Sequence, residues 1–456
     1  MERRHFLKYL SLAAAGFSFS ACGENNWLNF SNRSGSSQDN EESGVDFGKL
    51  EKTYLTIGFV PTTDCAPLII AKEQGFFERY GLNVSLSKQD DWQKIEEGLL
   101  ESSFDASAAL VGMPMLAQLS PSAAPMISLM VLNLNGSSIT LSPKAWQAGI
   151  RPSTEYIQFQ EFANSYRKYI KGFDEPPQFA MEAASIDNYN CRYWLSVMGI
   201  NPEKDLELVE ISPSQMIYKI QAGIIDGYSV AAPWNLEAVL EKAGFTSFVS
   251  RDIWQGHPGK VLATMEPWVK ENPKTARALV AAILEACQFC EQPENHPSVA
   301  KILSQSKYLD TNVKSIGASL AGTYNYGSFD EQERVVEIPD FTLFHFQDTN
   351  YLEPPNHANY PWQSHGVWLL TQMIRWRQGT KQEYPKDADE LIDKIYPVKI
   401  YEDVAKALNI ELPSERMKVE PAEAFIDKRQ FDPSQPVKYL NSFDFRANRP
   451  QIFAVR

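Results

Sequence analysis

From residue 54 onward, short β-prone runs alternate with amphipathic helical segments, and this alternation restricts the possible folds more than any other feature. Residues 54–60 predict a strand stopped by Pro61, and the polar turn Thr62-Thr63-Asp64-Cys65 leads into a helix expected over 66–77. A strand at 81–86, a helix at 91–102, a strand at 104–111 and a long apolar strand at 126–135 follow. A second cycle predicts a helix at 158–170, a strand at 178–183, a helix at 187–198 and a strand at 206–211. Ser212-Pro213 then opens a helix to Ala222, with a capping Ser before a Pro suited to the first turn. After Gly227-Tyr228-Ser229-Val230-Ala231-Ala232-Pro233-Trp234 the alternation returns through Phe248 and residues 261–265. Helical segments at 273–288, 313–320 and 364–377 make up most of a long extension.

Strands separated by helices imply a mostly parallel sheet with helices on its faces. The expected fold class is α/β and bilobal. Residues 51–135 and 236–456 form the first lobe, with a helical C-terminal extension, and 136–235 form the second. Ligands of open α/β sheets sit beyond the carboxyl ends of the strands, so two facing lobes would enclose a cleft that closes by a hinge motion.

A hydrophobic content of 43%, with 25 Phe, 19 Tyr and 10 Trp among 456 residues, is ample for packed cores. The net charge of −14 argues against nucleic acid as a partner, because phosphate binding needs a basic surface. The N-terminus carries an address. Arg3-Arg4-His5-Phe6-Leu7-Lys8 matches the twin-arginine export pattern, and an apolar run too short to span a bilayer follows. Phe19-Ser20-Ala21-Cys22 resembles a lipobox, which gives a signal peptide over 1–21 and a lipidated Cys22. Residues 22–50 read as a flexible tether rich in Ser, Asn, Gly and acids, so the expected location is periplasmic, anchored to the membrane through lipid. Cys287 and Cys290 fall on one apolar helix, and no second pair exists to complete a zinc site. No nucleophile–base constellation, phosphate loop or metal motif stands out, so neither an enzyme nor a cofactor is expected.

One helix start carries an ambiguous acid. In Ser185-Ile186-Asp187-Asn188, Asp187 could cap its helix and complement the dipole, or it could read a ligand. Trp92, flanked by polar residues, could pack in a core or present a ring to a ligand; Trp194 and Trp234 read as core.

Several strings together resemble the solute-binding proteins of cyanobacterial nitrate and bicarbonate ABC transporters. They are Asp64-Cys65-Ala66-Pro67-Leu68 running to Gly75-Phe76-Phe77, Arg192-Tyr193-Trp194-Leu195, Ala232-Pro233-Trp234, His257-Pro258 with Lys260, Asn325-Tyr326-Gly327 and Tyr360-Pro361-Trp362-Gln363-Ser364-His365, which runs into Ile374-Arg375-Trp376. The resemblance implies a type II periplasmic binding-protein fold, a monomer, and delivery of a small solute to permease subunits. It also implies ligand positions. Nitrate-binding members use a Trp, a Gln, a His, a Gly and a Lys, which fall here on Trp92, Ser137, Asp187, Ala231 and Lys260. Glu182 stands where an apolar residue is expected, Ala232 where an acid is usual, and Asp64 heads the first string. A thiamine-precursor synthase branch shares the fold but needs a cysteine-rich motif absent here, and the signal peptide argues against the sensor role of the family's cytoplasmic relatives.

Nitrate offers only acceptors, so replacing a His donor by Asp187 opposes it; like charges about 4 Å apart repel by several kcal/mol. Guanidinium is a planar cation whose N–H fork suits a carboxylate. The altered positions therefore predict a guanidinium cleft, with Trp92 offering its face to the cation. Lys260 cuts the other way unless it neutralises Asp187 or Glu182, and a small anion (nitrate, nitrite, cyanate or bicarbonate) is the alternative ligand.

Overall fold

In chain order the sheet-forming strands are β1 (Tyr54–Phe59), β2 (Asn83–Lys88), β3 (Ala106–Leu110), β4 (Met126–Val131), β5 (Leu134–Asn135), β6 (Ser137–Leu141), β7 (Gln178–Met181), β8 (Glu207–Glu210), β9 (Gly227–Ala231), β10 (Phe245–Val249) and β11 (Lys260–Met265). The computed structural model describes residues 44–330, 332–345 and 357–447. The expected signal peptide and the Cys22 lipidation site lie outside the described residues.

Two five-stranded sheets result. The first has the order β2-β1-β3-β11-β4 and the second β10-β6-β9-β7-β8. β1 runs parallel to β2 and β3, and β7 parallel to β8 and β9, as helical crossovers require. The inner strands β3 and β9 are buried along their whole length, as is the edge strand β4 where the extension covers it, which is why all three read as unbroken apolar or small-residue runs. At the edge, β2 keeps Val84 inside while Asn83 and Ser85 face water.

The structure corrects several boundaries. The helix expected over 66–77 breaks after Glu73, because Gly75 adopts a left-handed φ of 74° before the Phe76–Arg79 turn. The long strand expected over 126–135 is two strands. β4 belongs to the first sheet, whereas β5 crosses toward the second and pairs with a short strand, Thr342–Leu343. β10 lies antiparallel to β6 in the second sheet, so the chain leaves that sheet after Val249 and not at the expected 235. The tether was expected to reach residue 50. Val45, Phe47 and Leu50 instead pack on the first core, where Phe47 meets the Tyr80 ring at 6.1 Å, because apolar side chains next to a core lower the free energy by burial.

Two chain crossings join the sheets side by side. Leu134 bridges Pro258, the Asn135 N–H donates to the His257 carbonyl at 2.9 Å, and the Gly259 N–H donates to the Asn133 carbonyl at 2.8 Å. Asn135 and Gly136, with φ of 57° and 90°, turn the first crossing into β6. The Asn135 side chain straps this hinge to the extension, donating to the Asp340 carbonyl at 2.9 Å.

The extension does not sit on the first lobe alone. Its central helix, Gln363–Arg375, is buried throughout. Trp368 lies 4.3 Å from Trp254 between ring centroids, and Tyr193 of the Ile186–Val197 helix stacks on Phe425 at 5.7 Å. The Tyr193 hydroxyl donates to Asp427 at 2.8 Å. Meanwhile the Val398–Ala407 helix packs on the Pro273–Glu291 helix and on β4 of the first lobe. Many aromatic rings in the tail make this possible, since each buries a large area.

Candidate functional site

The seven expected ligand residues come from turns, strand ends and helix starts at facing edges of the two sheets. β1 ends at Phe59 and leads to Asp64 in the Thr63–Cys65 turn; β2 ends at Lys88 and leads to Trp92 at the start of the Trp92–Leu100 helix. Lys260 opens β11 opposite Leu110, the last residue of β3. In the second sheet, Glu182 follows β7, Ala231 ends β9, and Ser137 opens β6 as the partner of Ala231. All seven are buried.

The facing edges touch. The Thr63 N–H donates to the Ala232 carbonyl at 2.7 Å, and the Gly112 N–H to the Ala184 carbonyl at 3.0 Å. The Trp234 indole N–H donates to the Pro61 carbonyl at 3.0 Å, so this Trp, expected as core, also closes one rim of the cleft. The lobes are therefore closed on each other around the site.

Asp187 is not the helix cap. Ser185 takes that position, its side chain accepting from the Asn188 N–H at 3.0 Å, and Asp187 stands one residue inside the Ile186–Val197 helix. Ser185 therefore makes the capping hydrogen bond, while Asp187 stays in the first turn, where its own backbone N–H also favours its charge. Its Oδ1 is buried without a hydrogen-bond partner in the protein. Burial raises the Asp187 pKa and Asp64 adds to the rise, against the lowering influence of Lys260 and of the Ser137 hydroxyl. Glu182 is held further from ionisation. Burial and then the Glu210 carboxylate push its pKa well up, Lys260 opposes, and Asp91 and Asp187 add to the rise. Its Oε1 also lacks a partner.

The direction of Lys260 is settled. Its Nζ lies 2.7 Å from Asp64 Oδ2, with both side chains almost entirely buried. The other Asp64 oxygen accepts from the Thr62 hydroxyl at 2.6 Å. Burial works against the Lys260 charge, but Asp64, then Asp187 and Glu182, outweigh it and raise its pKa. The same ammonium sits 5.2 Å from the Trp92 ring centroid. Trp92 packs with the core through part of its surface, and its indole Nε1 is buried without a partner. Three acids thus share one lysine, and Asp64 already pairs with that lysine.

Residues outside the expected set support the site. The Lys260 N–H donates to Asn133 Oδ1 at 2.9 Å, and the Gly256 N–H to Asn135 Oδ1 at 2.9 Å, so two hinge amides hold the strand that carries the lysine. Ser250 and His257 line the path from Ser137 to the hinge. His257 stands within one of the matching strings, yet nothing local in the sequence marks Ser250. Among the described residues no group of three or more His, Cys, Asp or Glu side chains is arranged to hold a metal ion, and no helix is long and apolar enough to cross a membrane. Cys65, Cys191, Cys287 and Cys290 are free and buried.

Comparison with known proteins agrees with this architecture. A model described as the NMT1-like family matches residues 48–304. The nitrate/nitrite binding protein NrtA of Synechococcus elongatus is 32% identical, covering 98% of this chain and 98% of that protein. NrtA of Nostoc is 30% identical over 89% of this chain and 88% of its own length. The nitrate import ATP-binding protein NrtC of Synechocystis is 34% identical over 86% of this chain, which spans only 56% of that relative's length. The crystal structure of the periplasmic nitrate-binding protein NrtA from Synechocystis matches with a TM-score of 0.77 and 28% identity, covering 87% of this chain and all of that one. The fold is that of the periplasmic binding proteins, and this chain belongs to the NMT1-like family, grouping there with the NrtA-type solute-binding proteins of the nitrate and bicarbonate transporters.

Proposed function

We propose that this chain is the extracytoplasmic solute-binding component of an ABC importer, and that it traps a small planar nitrogenous cation, guanidinium, between its lobes for delivery to permease subunits. One observation carries the ligand reading: Asp187 and Glu182 each bury a carboxylate oxygen without a partner, while the Lys260 ammonium is committed to Asp64. A desolvated carboxylate is costly until a cation arrives, and a guanidinium fork satisfies it with two N–H donors. Trp92 supplies an aromatic face beside these acids, worth about 1–2 kcal/mol to a desolvated cation. The division of labour follows the sheets: Asp64, Trp92 and Lys260 come from the first lobe, and Ser137, Glu182, Asp187 and Ala231 from the second. Export through Arg3-Arg4 and anchoring through a lipid on Cys22 complete the reading, with the binding protein working as a monomer.

A second reading, a small anion such as nitrate, is favoured by the names of the relatives and by the retained Trp92 and Lys260. Calorimetry with guanidinium, urea, nitrate, nitrite, cyanate and bicarbonate decides between them. Guanidinium is expected to bind and nitrate not to; heat from nitrate with none from guanidinium reverses the conclusion. A regulatory sensor, the other functional class, predicts that the protein stays in the cytoplasm, which cell fractionation tests.

A further inference from the structure

A buried chain of hydrogen bonds runs from the hinge into the cleft through His257, Ser250 and Ser137. The His257 ring is fully buried, with Nδ1 3.1 Å from the Pro258 carbonyl oxygen and Nε2 2.8 Å from Ser250 Oγ. A carbonyl can only accept, so Nδ1 carries the hydrogen. Burial, helped by His365 and Lys260 and opposed by the Pro258 carbonyl, pushes the ring pKa down to about 4, so the imidazole is neutral. Nε2 is then a bare acceptor and takes the Ser250 hydroxyl proton. With that proton committed, Ser250 Oγ can only accept, and the Ser137 N–H approaches it at 3.3 Å. Ser137 in turn sets its hydroxyl against the Asp187 carboxylate. The opposite tautomer would place a lone pair of Nδ1 against the carbonyl of Pro258 and leave the Ser250 proton free.

We propose that His257 is a positioning residue for ligand selectivity: through Ser250 it holds the Ser137 N–H away from the ligand, so that once a bound cation favours the ionised form of Asp187 this wall of the cleft offers only acceptors, the lone pairs of Ser137 and Asp187, and prefers an N–H-bearing cation to an oxyanion. This rests on the guanidinium reading above. His257 also belongs to the second hinge crossing, where its carbonyl accepts from the Asn135 N–H at 2.9 Å, so the chain is assembled only where the two crossings lie side by side.

Two measurements on the full chain test it. Histidine-selective nitrogen NMR is expected to show His257 as the neutral Nδ1–H form from pH 5 to 8; an Nε2–H form, or titration within that range, overturns the proposal. Calorimetry is expected to show guanidinium binding weakened at least tenfold by Ser250→Ala and kept within about threefold by Ser250→Thr, which retains the hydroxyl. Wild-type protein that binds guanidinium alongside a folded Ser250→Ala variant with equal affinity overturns the role of the chain and leaves the ligand reading standing. If Ser250→Ala does not fold, the NMR result and the Ser250→Thr affinity decide. Wild-type protein that binds nitrate and no guanidinium sinks the ligand reading, and the acceptor wall with it.

Discussion

Lys260 and Asp64 form an ion pair of 2.7 Å between side chains that are almost wholly buried, one at the start of β11 and the other in the turn after β1. Removing one member of such a pair strands the other in a medium of low polarity, at a typical cost of about 3–5 kcal/mol. Asp64→Asn is therefore expected to lower unfolding stability by about that amount in urea titrations without ligand. The double variant Asp64→Asn/Lys260→Met should recover most of the loss. An Asp64→Asn protein as stable as the wild type would show that water, or the neighbouring Asp187 and Glu182, compensates the lysine.

If Asp187 holds the proposed ligand, binding and helix capping fall to different residues, Asp187 and Ser185. Asp187→Asn is expected to weaken guanidinium binding by about 2–5 kcal/mol, the usual cost of truncating one partner of a buried charged pair. The ligand-free protein should lose little stability, since burial works against the Asp187 charge that the substitution removes. Ser185→Ala is expected to cost about 1 kcal/mol of stability through the lost cap and to leave affinity nearly unchanged. The reverse pattern, measured by calorimetry and denaturation on both variants, would return Asp187 to a structural role.

The raised pKa values of Glu182 and Asp187 give stability and affinity opposite dependences on pH. In the ligand-free protein both groups hold protons above the ordinary carboxylate range, so the native state binds more protons than the unfolded chain. Their contribution to stability is fully present below their unfolded pKa, about 4, and is lost as pH rises through the folded values. A bound cation favours the ionised forms. Guanidinium affinity is expected to fall as pH drops toward 5, with protons released on binding, seen as a calorimetric heat that changes with the buffer's ionisation enthalpy. An affinity flat from pH 5 to 8 would count against these two carboxylates as ligands.

Gly259 and Asn133 pack backbone to side chain at the crossing between the lobes. A Cβ on Gly259 would stand 2.4 Å from the Asn133 side-chain amide, whose oxygen receives the Lys260 N–H. Gly259→Ala is expected to destabilise the protein by about 1–3 kcal/mol, as overpacking does. It should also weaken ligand binding by disturbing the strand that carries Lys260. Unchanged melting and affinity would mean that the hinge yields more easily than its packing suggests.

Much of the fold was legible because periodicity is local. β1, the Trp92–Leu100 helix and the Pro213–Gln221 helix each announced themselves by alternation, a capping residue or a Pro at the first turn, and each stands within one or two residues of its expected place. Expectations failed where a long-range partner decides. Residues 126–135 read as one apolar strand, and only the pairing of β5 with Thr342–Leu343 divides it; β10 joins the second sheet because β6, about a hundred residues earlier, offers it an edge. The extension's contact with both lobes likewise depends on where Trp254 and Tyr193 meet rings far along the chain.

The site divides in the same way. The sequence by itself determined the two-cycle α/β plan, because periodicity is local, and its resemblance to the nitrate and bicarbonate binding proteins marked the positions that would carry ligand residues and the unusual acids at 182 and 187. The tertiary structure decided what each group is available to do. A capping Ser185 releases Asp187, and a distant Asp64 occupies Lys260. Burial holds Glu182 and Asp187 against ionisation. Hydrogen bonds, ion pairs and desolvation depend on distances between residues far apart in the chain, and those distances exist only once the two sheets face each other.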